Sequence, residues 1–239
     1  MREPDPNAVA GVLDAQPDPG SWLALITGGV ALIVVLSGTP WRWARTAITI
    51  VHEAGHALLA VLVGRRLQGI RLHSDTSGVT VSRGKPEGPG MVLTALGGYP
   101  APSVLGLVFA GLLAASRVTA LLVLAAVLLL AVLVMVRNAY GVLVVVVTAG
   151  VLALASLVAP ASVQAAFVYL MTWFLLFGGV RPVIELQLKR RQGQARDSDA
   201  DQLARLTEVP AALWVLVLAM ISVSCVIMGG AFLLQPTLK

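Results

Sequence analysis

Charge is scarce in this chain of 239 residues: 12% are Asp, Glu, Lys or Arg, against 57% hydrophobic. A water-soluble domain carries roughly 25% charged residues. Half that figure cannot cover a water-facing surface, so an ordinary soluble globular fold is excluded. Cysteine is nearly missing. The single Cys225 sits in an apolar run, which excludes an intrachain disulfide and a cysteine-built metal cluster. Histidine occurs three times and aromatic residues make up 5%. There is no internal repeat, no nucleotide-binding glycine loop and no nucleic-acid-binding signal. Residues 1–20 are polar and acidic, with Glu3, Asp5, Asp14, Asp18 and four prolines. They lack the apolar centre of a cleavable signal peptide and read as a flexible tail.

The chain does have long apolar runs. Crossing the hydrocarbon core takes about 20 residues of helix, and that ruler finds seven candidate spans, near 22–38, 44–64, 91–115, 118–136, 139–158, 161–180 and 211–234. The expectation is an all-α polytopic membrane protein, with residues 21–239 forming one integral domain in the lipid bilayer of the cell. Basic residues stay on the cytoplasmic side. Of the 17 Lys and Arg residues, those in the N-terminal tail, the 65–90 segment, the break at Arg137 and the 181–210 loop outnumber those on the other side by about three to one. This places the N-terminus inside, the C-terminus outside and both long loops in the cytoplasm. There they set topology and meet anionic headgroups.

Inside the second span, TAITIVHEAGHALLAVLVG carries His52, Glu53 and His56 as H-E-x-x-H. Residues four apart project from one helical face, so both imidazoles can hold one zinc ion while Glu53 reaches a metal-bound water. With three histidines and twelve acids in the chain, chance would produce the pattern about 0.002 times. Ionisable residues within a span are costly and mark function. A catalytic zinc needs a third protein ligand, and the residues alone leave His73, Asp75, Glu185, Asp197, Asp199 and Asp201 open. The segment RDSDADQLARLTEVP reads as a helix start capped by Ser198.

The motif VHEAGHALLAVLVGRR, the segment IRLHSDTSGVTVSRG and the run GGYPAPSVLGL together resemble the site-2 protease class of intramembrane zinc metalloproteases, peptidase family M50. Two further segments are similar to its actinobacterial M50B-like branch: Arg137-Asn138-Ala139-Tyr140-Gly141, and the SDA segment from Ser198 to Pro210. The likeness covers about residues 44 to 215. It implies a zinc-dependent endopeptidase that cleaves transmembrane segments of other membrane proteins, in regulated intramembrane proteolysis. In the wider family the third ligand belongs to an L-D-G motif, which this sequence lacks. By position in the SDA segment the role passes to Asp199, with Asp201 next. Two other readings stay open: a membrane metalloprotease of another type with Glu185 as third ligand, and a non-catalytic scaffold or transporter that keeps the motif for packing.

Around the motif, residues 67–83 alternate Ile70, Leu72 and then Val79, Val81 about a Ser-Asp-Thr-Ser-Gly turn, the pattern of a β-hairpin. The resemblance implies a membrane-associated strand element here, and an exposed strand edge can pair with an unwound substrate. The glycines and prolines of GGYPAPSV, residues 97–104, predict a kink in the third span. Asn138 is a candidate hydrogen-bond donor to a substrate carbonyl or oxyanion.

Overall fold

The computed structural model describes residues 21–194 and 197–235; the tail expected to be flexible, 1–20, lies outside them. The elements run α1 (Ser21–Leu36), α2 (Thr39–Leu62), β1 (Arg66–Leu72), β2 (Gly78–Arg83), α3 (Pro89–Leu96), α4 (Ala101–Ala114), α5 (Val118–Met135), α6 (Ala139–Leu157), α7 (Ala161–Arg191), α8 (Asp199–Thr207) and α9 (Ala211–Leu234). The described residues are mostly helical, with one two-stranded antiparallel sheet among them.

Seven separate spans are not supported. Among the described residues α5, α6, α7 and α9 are each long and apolar enough to cross a membrane, and the count reaches six at most if each of two bent helix pairs is one span. The first pair is α1 and α2, which meet at 100°. The 16 residues of α1 rise about 24 Å, short of the roughly 30 Å hydrocarbon core, and Arg42, Arg45 and Glu53 dilute the apolar character of α2. The second pair is α3 and α4, bent by 69° where Gly97-Gly98-Tyr99-Pro100 interrupts the helix, as the glycine and proline content predicts. The opposed placement of the two termini rested on seven spans and loses its support with them. The break at Arg137-Asn138 does separate α5 from α6 as expected.

The loop expected over 181–210 is largely helix. α7 runs on to Arg191 with Pro182 inside it, and Arg181, Glu185 and Arg190 in this continuation are ion-paired. Arg181 Nε donates to Glu185 Oε1 at 2.9 Å, one helical turn away, and Trp41 Nε1 donates to the same oxygen at 3.0 Å. α8 follows, its first turn capped by the Ser198 hydroxyl as its sequence predicts.

Three apolar clusters hold these elements. The largest joins α1, α2, α4, α5, α7 and α9 around Trp41, Phe109, Leu121, Val168 and Leu176, all essentially buried. The second packs Ile70 and Leu72 of β1 on Ile50 and Ala57 of α2 and on Val132 and Val145 of α5 and α6. The third gathers Val183 and Leu186 of α7, Ala200 of α8, and Val215 and Leu218 of α9, with Leu96 and Tyr99 against it. Large apolar side chains such as Val134, Leu157 and Ile227 point outward instead, a surface suited to lipid and too apolar for water. The functional residues lie where α2 passes between the second and third clusters.

Candidate metal centre

α2 ends in a Schellman turn: Gly64, at φ 76°, donates to Val61 O, and Arg65 N donates to Ala60 O at 2.8 Å. The reversal sends β1 and β2 back along the helix that carries the motif. Their inward face is Leu67, Ile70 and Leu72 paired with Ser82, Thr80 and Gly78. Thr80 Oγ1 donates to Glu53 Oε2 at 2.7 Å and also lies 3.0 Å from the Glu53 carbonyl. At Gly78 a Cβ would stand 2.6 Å from Glu53 Oε1, so glycine is required for this close approach. Glu53, 4% exposed, is thus clamped between α2 and β2. Sequence reading did not single out Thr80; its place at the centre of the hairpin was the only signal, and it needs the register to be useful.

His52 and His56 do share a face. Their Nε2 atoms are 3.2 Å apart, and Asp199 Oδ2 stands 3.1 Å from His56 Nε2 and 3.4 Å from His52 Nε2. Zinc bonds of 2.0–2.1 Å in tetrahedral directions put ligand atoms about 3.3–3.4 Å apart. The three atoms therefore form one face of a tetrahedron of the right size, and the donor set of two imidazoles and a carboxylate suits zinc. His56 Nδ1 lies 2.7 Å from the carbonyl of Thr94 on α3. A proton on Nδ1 donated to that oxygen leaves the Nε2 lone pair facing Asp199, the usual way a carbonyl fixes the tautomer of a metal-binding histidine.

The α3–α4 bend supplies the wall behind the imidazoles. A Cβ on Gly98 would lie 2.6 Å from His52 Nε2 and closer still to His56 Nε2, and one on Gly97 would meet the Gly55 carbonyl. Two helices approach this closely only where both lack side chains. Tyr99 then sets its ring edge-on to His52, with centroids 4.9 Å apart, while packing on the cluster that carries α8. It touches the helix of the two histidines and the cluster of the third carboxylate. Gly98 was legible only as a kink residue, and Tyr99 carried no signal of its own.

Four of the other five candidates are engaged elsewhere, and Asp197 is exposed. Asp201 pairs with Arg190 and with the Ser198 hydroxyl, serving the start of α8. Glu185 takes Arg181, Trp41 and Arg45, the last at 3.1 Å. Asp75 accepts from Ser77 within the hairpin turn, and His73 lies against the same Ser77. Asn138 is not free to meet a substrate oxyanion. Its Nδ2 donates to Leu72 O at 2.7 Å and its Oδ1 accepts from Leu72 N at 3.2 Å, so the side chain extends the sheet and ties α6 to β1.

Comparison with known proteins bears on this arrangement. The family model described as Peptidase M50B-like matches residues 25–229, most of the chain. The chain belongs to the Peptidase M50B-like family. No curated protein and no solved structure matches it. An M50B-like chain is an integral membrane protein, which accords with the apolar helices and the outward-facing surface above. The site-2 protease resemblance read from the motif is the same family. M50 peptidases are in general zinc-dependent, and among the described residues of this M50B-like chain His52, His56 and Asp199 form a group that could hold a metal.

Proposed function

We propose that the protein is a zinc-dependent intramembrane endopeptidase of the plasma membrane, cutting transmembrane segments of other membrane proteins. The observation that carries the reading is the triangle of His52 Nε2, His56 Nε2 and Asp199 Oδ2, with edges of 3.1 to 3.4 Å, beside a buried Glu53. Those three atoms would hold the metal. A bound zinc supplies a Lewis acid for the peptide carbonyl and makes water acidic enough to attack near neutral pH. Glu53 takes the proton of the attacking water and delivers one to the leaving amine. Thr80 keeps the Glu53 carboxylate in place, and Thr94 keeps the His56 lone pair on the metal side.

A helical substrate shields its peptide bonds, so the segment to be cut must be unwound. β1 has its outer edge closed by Arg137 N, which donates to Ile70 O at 2.9 Å, and by the Asn138 amide. That leaves the outer edge of β2, the strand that clamps Glu53, as the one to pair with an extended substrate.

Metal analysis of the detergent-purified protein after mild chelation tests the reading. About one zinc per chain is expected in the wild type by the three-ligand rule, with none in His56→Ala or Asp199→Ala. Glu53→Gln should keep the zinc and lose at least about 100-fold in cleavage of a reconstituted transmembrane substrate. A wild type without zinc, or zinc untouched by His56→Ala, would sink the proposal.

A further inference from the structure

The hairpin has a second face, turned away from Glu53. The register pairs Arg66 with Arg83, Gly69 with Val81 and Arg71 with Val79, and directly paired residues of an antiparallel sheet share a face. Arg66, Arg71 and Arg83 are all exposed, as is Lys85 just beyond. Arg65 is folded over the same end, with Nε on the Ser82 hydroxyl at 3.0 Å and NH1 on the Lys85 carbonyl. No carboxylate pairs with any of these five cations among the described residues; Asp75 is spent on Ser77 at the far turn, and Glu87 makes no ion pair. Like charges directly opposite across strands are destabilising, so the Arg66–Arg83 pair invites an anion between its guanidiniums.

Its position says which anion. β1 starts just after the last turn of α2, where Leu58, Val61 and Leu62 are 58%, 50% and 69% exposed. In a membrane protein such side chains face lipid, so the base of the hairpin stands where an acyl-lined helix meets the headgroups. From there the same face continues into Val79 and Val81, which are 48% and 39% exposed. Guanidiniums with exposed valines beside them match a phospholipid, which presents a phosphate next to acyl chains.

We propose that the outward face of the hairpin, through Arg66, Arg83 and Lys85, binds the phosphate of an anionic phospholipid headgroup. Guanidinium pairs hold phosphate through two parallel hydrogen bonds, and each cation near an anionic membrane strengthens attachment by roughly fivefold. Thr80 holds Glu53 from the inward face of the same strand. The binding claim itself does not depend on whether the protein cuts peptides.

The full chain, reconstituted in bilayers of phosphatidylcholine alone or mixed equally with phosphatidylglycerol, gives the test by amide hydrogen exchange over residues 66–71 and 78–83. We expect exchange about tenfold slower in the anionic bilayer, the protection fading as salt screens it and missing from the double variant R66Q/R83Q. The salt arm needs no variant, and circular dichroism checks that the double variant folds. Equal exchange in both bilayers overturns the proposal. So does equal protection in the neutral bilayer on adding inorganic phosphate or an acidic peptide, which would assign the face to a free anion or to a protein segment.

Discussion

Two carboxylates sit at the ends of long-range contacts to α2, and they differ in what surrounds them. Glu185 meets two guanidiniums and an indole N–H: Arg181 at 2.9 Å, Arg45 at 3.1 Å and Trp41 at 3.0 Å. Asp199 meets two imidazole nitrogens at 3.1 and 3.4 Å. The distances are alike and the chemistry is opposite. Arginine does not lose its proton, so Glu185 is held by two fixed cations and an indole donor on Oε1 and has no use for a further cation. An imidazole nitrogen is a lone pair when neutral, so the group at Asp199 can take a metal. Arg181 also donates to the carbonyls of Val35 and Ser37, at the end of α1, and its guanidinium lies over the Trp41 ring. The Glu185 cluster is the clasp at the α1–α2 bend.

The contrast is broken most sharply by treating both acids alike. Asp199→Asn should abolish stoichiometric zinc, while Glu185→Gln should keep it and instead lower stability by about 2 kcal/mol, the scale of a partly buried ion pair losing its charge. Elemental analysis and thermal melting read the two effects; zinc lost from Glu185→Gln alone would transfer the ligand role to Glu185. Gly98→Ala comes next, because its methyl would press on both imidazoles. Zinc affinity should fall about 10- to 100-fold, as when a supporting contact of a metal site is removed, by competition with a chelator. Thr80→Val removes one hydrogen bond from Glu53 and should cut turnover about tenfold, the equivalent of roughly 1.4 kcal/mol, with zinc content unchanged.

The smallest effect is in the hairpin turn. Two hydrogen bonds from Ser77 hold the Asp75 carboxyl below the usual carboxylate range. A carboxyl whose pKa is lowered by folding stabilises the fold above its unfolded value, and that contribution is lost as pH falls through the folded value. Protection of the Ser77 and Gly78 amides, taken relative to the intrinsic exchange rate at each pH, should therefore fall on acidification below the ordinary carboxylate range. In Asp75→Asn it should be less sensitive to pH.

Legibility followed sequence distance. His52, Glu53 and His56 lie within two helical turns, so the periodicity of a helix alone puts both imidazoles on one side. The hairpin was readable because alternation and a polar turn are local, and its strands fall within one or two residues of the expected range. Asp199 required a resemblance, since nothing in SDADQL distinguishes it from Asp201. The structure separates them by what each meets: Arg190 and Ser198 for one, two histidines for the other. The span count failed where apolar length was a poor guide, at the 100° turn after α1 and the 69° bend between α3 and α4. Asn138 was read as a donor to substrate, and only the packed sheet revealed that Leu72 uses both ends of its amide.

By itself the sequence determined the solvent, the motif and its helix, and the hairpin behind it, because hydropathy and short periodicities are properties of neighbouring residues. Tertiary structure alone decided which acid completes the triangle, which threonine holds Glu53, and why Gly97 and Gly98 must lack side chains. Those depend on helices meeting across intervals such as the 143 residues between His56 and Asp199, where packing rather than spacing sets which atoms meet.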